Sequence, residues 1–364
     1  MRIAQVAPLY ESVPPKLYGG TERVVSYLTE ELVQQGHDIT LFASGDSATR
    51  AKLIPISQRA LRLEGPHVID PIMHHVRMLD MVYRQADDFD LIHFHIDYLH
   101  FPLATRYTVP ALTTLHGRLD IPDLIPLFQQ FKNVNIVSIS NAQRKPLSWM
   151  NWRGTVHHGL PTALYTFQEK PGSYLAFLGR ISPEKRVDRA VEIARRTGME
   201  LKIAAKVDAV DRDYFEAKIQ PLLKNPFVEF VGEIGEAEKS EFLGNALALL
   251  FPIDWSEPFG LVMIEAMACG TPTIAYKNGS VPEVLEDKKT GYFVDTLLDA
   301  VKAVKNIPLL SRRECRETFE QRFSSSRMAR DYLGIYEHVI SDERSFALGI
   351  PVQRDMERSS SRVS

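Results

Sequence analysis

Cysteine is nearly absent from this chain: 364 residues carry two, Cys269 and Cys315. A disulfide framework is not supported, and a reducing cytosol is the compartment that fits. An excess of charge is also missing. Lys and Arg number 43 against 46 Asp and Glu, a formal net charge of −3, so no basic field argues for nucleic acid. No apolar run approaches the roughly 18 residues of a membrane span. The opening Met1-Arg-Ile-Ala-Gln-Val-Ala-Pro8 is too briefly apolar for a signal peptide and has no cleavage site after it; it reads as a short buried strand. Metal-ligand spacing is lacking as well. His93 and His95 point to one face of a strand, but no Cys or carboxylate pair completes a site with them. Cys269 reads as a small packed apolar residue.

What is present is regular alternation over a length that usually needs two cores. Ile3 to Ala7 reads as a strand, and Thr21 as the cap of a helix bearing Val24, Val25, Leu28 and Leu32, which Gly36 stops. A strand over 39–43 completes a βαβ unit, the start of a parallel doubly wound sheet. Further strands are expected at 91–95, 111–115 and 135–139. After a linker over 162–173 the pattern resumes, with strands at 175–178, 201–205, 228–231, 248–251, 273–275 and 292–294. Helices are expected from Ser182-Pro183-Glu184 to Gly198, and over 211–223, 236–245 and 260–269. A last helix over 327–340 carries Met328, Leu333, Tyr336 and Val339, and 341–364 reads as a mobile tail. The expected domains are 1–165 and 166–325, with 326–340 as the final helix.

The most informative stretch is Glu257-Pro-Phe-Gly-Leu-Val-Met-Ile-Glu265. Pro258 suits a first helical turn and Gly260 permits close approach to the backbone. Free N–H groups near Phe259, Gly260 and Leu261 would face an anion, aided by the helix dipole. Glu257 and Glu265 flank that site, separated by about 12 Å along a helix axis. Two acids around a phosphate cradle suit a ligand with hydroxyls at both ends, such as a nucleotide sugar. Three further groups follow predicted strands, where open parallel sheets bind ligands. They are Gly19-Gly20 at a helix start, Arg180 with Lys185 in Gly179-Arg-Ile-Ser-Pro-Glu-Lys-Arg, and His116 in Thr114-Leu-His-Gly117. The plain alternatives are a tight turn, a solvated basic face and a satisfied core histidine. Arg186 and Arg189 are left as surface. A Lys in the first turn of a helix opposes the dipole, which suggests an anion beside Lys185. His95 and Asp97 are candidates for the acceptor side. Arg144–Arg153 mixes basic residues with Trp149 and Trp152; packing inward is favoured there over touching a membrane.

The run Ser256 to Ala275, with its two acids eight apart and its Ala-Cys-Gly-Thr-Pro ending, resembles the Glu-x7-Glu signature of family 4 retaining glycosyltransferases. That resemblance implies a GT-B fold: two Rossmann-like α/β domains facing a cleft, with the last helix crossing back onto the first. It also implies that Arg180 and Lys185 bind a donor diphosphate, that Gly19 and Gly20 border it, and that His116 contacts the donor sugar. Glu265 would take the ribose hydroxyls, and Glu257 the sugar and the developing oxocarbenium charge. Lys206 and Ile234 are further donor-side candidates. Lys206 stands in Ala205-Lys206 where relatives have Gly-x-Gly, and His157-His-Gly-Leu-Pro replaces a common Asn-Gly-Val-Asp turn. Both departures leave the donor open. The expected activity is transfer from a nucleotide sugar, UDP-sugar favoured, to a hydroxyl of a carbohydrate, lipid or small molecule. No Asp-x-Asp pair suits a metal-held diphosphate, so no metal or other cofactor is expected. An epimerase or phosphorylase of the same fold, or a non-catalytic sugar-nucleotide binder, remains the alternative.

Overall fold

A computed structural model of the chain describes residues 1–16, 18–65 and 68–347. Short apolar strands joined by helices must run parallel, because each helix carries the chain back across a sheet face. The first sheet contains β1 (Arg2–Val6), β2 (Asp38–Ala43), β3 (Lys52–Pro55), β4 (Leu91–Phe94), β5 (Ala111–Thr114), β6 (Ile136–Ser138) and β7 (Trp152–Thr155), in the order β3-β2-β1-β4-β5-β6-β7. The second contains β8 (Tyr174–Arg180), β9 (Leu201–Lys206), β10 (Val228–Gly232), β11 (Ala246–Phe251), β12 (Thr273–Tyr276) and β13 (Gly291–Val294), in the order β10-β9-β8-β11-β12-β13. Every pairing is parallel. Strand order reverses between β1 and β4 and between β8 and β11. Crevices open at such switch points.

Several expectations change in detail. β3 and β7 were not read as strands: both are only partly buried and lack an apolar run. Within the 144–153 segment, Trp152 packs against the Phe101–Phe128 cluster and donates its indole N–H to Leu147 O, whereas Trp149 is exposed. Thr21 is not a cap, because the first helix runs Gly20–Gln34 with Gly19 at the cap. Ser182-Pro183-Glu184 forms a 3-10 turn through Lys185. Arg186 then turns left-handed at φ 53°, and the helix starts only at Val187. Lys185 is therefore ahead of the helix, not in its first turn. The 211–223 segment breaks into α, π and 3-10 turns, and Pro221 has no N–H to continue the ladder.

The expected linker is not loose. Tyr165 is buried, and two arginines of the Arg312–Arg322 helix clamp the segment. Arg316 donates to the carbonyls of Thr162, Tyr165 and Ala268. Arg312 is buried and donates to the carbonyls of Gln168, Gly244 and Ala246 and to Thr271 Oγ1. Burial without a carboxylate partner lowers its pKa.

The last helix, Ser325–Ala347, is longer than expected. Residues 341–347 belong to it and not to a tail; 348–364 lie outside the described residues. It packs against the first helix and β5. Met328, Tyr332, Tyr336 and Val339 are buried, Leu333 only partly. Tyr332 Oη lies 2.9 Å from Thr114 Oγ1, and Tyr336 Oη 2.7 Å from His93 Nδ1. The chain thus crosses back onto the first sheet.

Five histidines of this half, His93, His95, His100, His116 and His158, have their pKa values lowered first of all by burial; His100 and His116 fall to about 3. A folded-state pKa below the unfolded value of about 6.5 gives stability that is complete above it and lost as pH falls. The thermal midpoint should therefore drop between pH 7 and pH 5, above the range where ordinary carboxylates titrate. Each such histidine would cost about 1.4 kcal/mol per pH unit below 6.5; a flat midpoint over that interval would contradict the assignment. Arg312→Met should cost about 3 kcal/mol in urea unfolding by stranding buried carbonyls, and an unchanged midpoint would count against the clamp.

Candidate active site

Both crevices open into one cavity of about 630 Å³ between the two sheets. The first-half loops contribute Gly19, Gly20 and His116; the second contributes Arg180, Lys185, Lys206, Ile234, Glu257, Phe259, Gly260, Leu261 and Glu265. These candidates thus line one cavity, drawn from segments nearly 250 positions apart.

Two helix N-termini meet there. A Cβ built on Gly20 would come 3.5 Å from Leu261 Cδ1, so the first helix faces the cradle helix, Leu261–Ala268. The first turn of each leaves N–H groups without intrahelical carbonyls. Pro258 lies before the cap and not within the first turn, since Gly260 caps the helix at φ 79°. A Cβ on Gly260 would also come within 2.8 Å of Met263 Cε. The turn therefore requires glycine.

Glu257 is fixed by groups the sequence reading missed. Gly279, at φ 58°, lies so close to the Glu257 backbone that a Cβ would fall 2.3 Å from its nitrogen. Ser280 N donates to Glu257 O at 2.9 Å and Ser280 Oγ donates to Phe259 O at 2.9 Å. The Asn278-Gly279 pair following β12 was the available turn signal. Trp255 Nε1 donates to Glu257 Oε2 at 3.1 Å, and Lys185 pairs with the same oxygen. The Lys185 ammonium also lies 5.2 Å from the Trp255 ring centroid.

The other charges are similarly matched. Arg180 donates to Glu184 at 2.8 Å and lies 3.7 Å from both Asp208 and Asp211. Lys206 pairs with Asp208 at 3.0 Å and lies 5.3 Å from the ring of Tyr18, across the cleft. Arg186 and Arg189, left as surface, bind Asp254 outside the cavity lining. Glu265 is buried and accepts from Lys239 at 2.8 Å. Lys239 also lines the cavity, and the reading missed it because it sits in an ordinary charged helix. Glu236, three residues before it, pairs with Arg23 of the first helix and accepts from Tyr165. That ion pair joins the two halves behind the cradle.

His116 stacks on His158, with ring centroids 5.4 Å apart and planes at 17°. His158 in turn meets the Phe259 ring at 4.8 Å. Burial holds His116 neutral at pH 7, its pKa being about 3. His95 and Asp97 also line the cavity, as expected, while His93 is a core residue bonded to Tyr336 and Thr114. Asp97 is solvent-exposed on a concave wall, where partial desolvation pushes its carboxyl up to about 6. Among the described residues no group of three or more His, Cys, Asp or Glu could hold a metal ion, and no helix is long and apolar enough to cross a membrane.

Residues 18–172 match the profile "Glycosyltransferase Family 4" and residues 167–324 the profile "Glycosyl transferases group 1". A glycogen synthase of Mycobacterium tuberculosis is 27% identical over 384 residues, spanning 89% of this chain and 91% of that protein. Sucrose-phosphate synthase from Thermosynechococcus elongatus superposes with a TM-score of 0.76 at 18% identity, over 94% of this chain and 100% of that one. HepE from Anabaena, solved with UDP and glucose, gives 0.70 at 15% identity, over 93% and 99%. Adjoining profile matches over both halves, together with the two facing parallel sheets, place this chain in the family 4, group 1 glycosyltransferases of GT-B fold.

Proposed function

We propose that this glycosyltransferase moves a sugar from a nucleoside diphosphate donor to a hydroxyl of a carbohydrate, lipid or small-molecule acceptor, with retention and without a metal. The observation carrying this reading is the convergence of Arg180, Lys185 and two helix N-termini between Glu257 and Glu265. UDP-sugars are the favoured donors. HepE, of the same fold, was solved with UDP and glucose. Residues 166–325 hold the donor and residues 1–165 the acceptor, in the cytoplasm. Contact with a membrane surface is not favoured.

Glu265 accepts from the ribose hydroxyls. Arg180, Lys185 and the N–H groups at Gly260 and Leu261 take the diphosphate and stabilise it as the leaving group. Lys185 then divides its charge between Glu257 and phosphate. Glu257 holds the sugar hydroxyls and faces the positive charge that develops at the anomeric carbon. His116, neutral, meets the sugar from the opposite wall. Asp97 faces the acceptor on the side that His95 backs, and cleft closure keeps water away. Helix dipoles and cations supply at the leaving group the positive charge that a metal ion would otherwise supply.

Purified protein offered UDP-, GDP- and ADP-sugars should release nucleoside diphosphate slowly from one of them, and equally in EDTA. Strict dependence on added Mg²⁺ or Mn²⁺ would overturn the metal-free reading. Lys185→Ala should lower that release by roughly 100-fold or more; donor affinity and turnover near wild type would remove it from the clamp. Glu257→Gln should reduce turnover more than donor binding, and the reverse ranking would make it a binding residue only.

A further inference from the structure

His116 is the cleft end of a buried polar chain that starts on the crossover helix. Gln5 Nε2 lies 3.2 Å from Tyr336 Oη, and Gln5 Oε1 lies 2.8 Å from His95 Nε2. His95 Nδ1 lies 2.9 Å from His116 Nε2. Gln5 and His93 are 0% exposed and His95 is 2% exposed, so protein partners decide where their protons sit.

The distances set the direction of the chain. An N–H···O bond spans about 2.7–3.2 Å, whereas O–H···O spans about 2.5–3.0 Å. The 3.2 Å contact fits an amide N–H donating to Tyr336. It is longer than the usual span of a phenol donating to an amide oxygen. The amide oxygen therefore faces His95 and can only accept. His95 must carry its proton on Nε2, which leaves Nδ1 bare. A bare Nδ1 can only accept from His116, so His116 donates from Nε2. Burial keeps both imidazoles neutral, and a neutral ring has one proton. His116 Nδ1 is then a bare lone pair, and it is a buried atom with no hydrogen-bond partner among the described residues.

We propose that Gln5, which does not line the cavity, is a positioning residue: through His95 it locks His116 in the Nε2–H tautomer, so that the one ring atom left without a partner, the enclosed Nδ1, is an acceptor and never a donor toward a hydroxyl of the transferred sugar. The functional half rests on the transferase reading above; the tautomer itself does not. The crossover helix takes part, because Tyr336 holds the amide the right way round. Tyr336 Oη, having accepted from Gln5, donates to His93 Nδ1, and His93 Nε2 donates to Thr114 Oγ1 at 2.7 Å. Every member then has a consistent role.

The test is ¹⁵N spectroscopy of the full chain labelled at histidine, with the His116 signals assigned through His116→Gln. The expected wild-type spectrum shows His116 protonated on Nε2 and bare on Nδ1. The opposite tautomer would overturn the proposal, and this measurement needs no turnover and no folded variant of Gln5. Gln5→Met should then show both tautomers, and its kcat/KM for nucleotide release should fall in proportion to the Nε2–H fraction remaining. Loss of activity with the tautomer unchanged would make Gln5 merely structural. Mixed tautomers with full activity would overturn the functional half.

Discussion

Everything in this protein depends on two helix N-termini being held face to face across a cleft. Each brings unpaired N–H groups and the positive end of a helix dipole. Placing them together costs electrostatic repulsion and requires backbones to approach closely. Gly260 makes the approach sterically allowed by accepting a left-handed turn where a Cβ would meet Met263 and Phe251, whereas Gly20 lies within ordinary contact distance of Leu261. The repulsion is offset by buried acids, Glu257 and Glu265, each matched to a lysine from another segment.

The matching explains why so much of the molecule outside the cavity is tied to it. Arg23 and Glu236 join the first helix to the segment that carries Lys239. Glu283, beside the Gly279-Ser280 turn that fixes Glu257, accepts from the backbone N–H groups of Asn141 and Ala142 in the first half. Arg327, half-buried on the crossover helix, donates to the carbonyls of His157 and His158, and His158 is the ring against which His116 stacks. Relative placement of the halves is thus written into hydrogen bonds that end at or beside residues lining the cavity. A change on the crossover helix reaches the cleft through two or three bonds, without any need for long-range motion.

The parts legible from the sequence were those in which local chemistry is self-sufficient. Glu257 to Glu265 announced itself because a glycine, a helix start and two acids are adjacent in the chain. Arg180 and Lys185 were found for the same reason, although the turn that carries Lys185 was misread: nothing in Ser-Pro-Glu-Lys-Arg reveals that Arg186 will adopt a left-handed conformation. β3 and β7 escaped because edge strands are half-buried and need no apolar alternation. Lys239, Gly279 and Ser280 escaped because their roles exist only toward residues distant in sequence. Lys239 looks like any solvated helix lysine until Glu265 is placed beside it.

By itself the sequence determined two parallel α/β sheets, the helix-terminus cradle and the identity of the charges around it, since hydrophobic period, glycine positions and residue type are local properties of the chain. Tertiary structure alone decided which acid pairs with which base, how tightly the linker is held, and which way the protons point along Tyr336, Gln5, His95 and His116. Those depend on distances between segments far apart in sequence. In a buried site, where water cannot exchange partners, such distances fix both charge and tautomer.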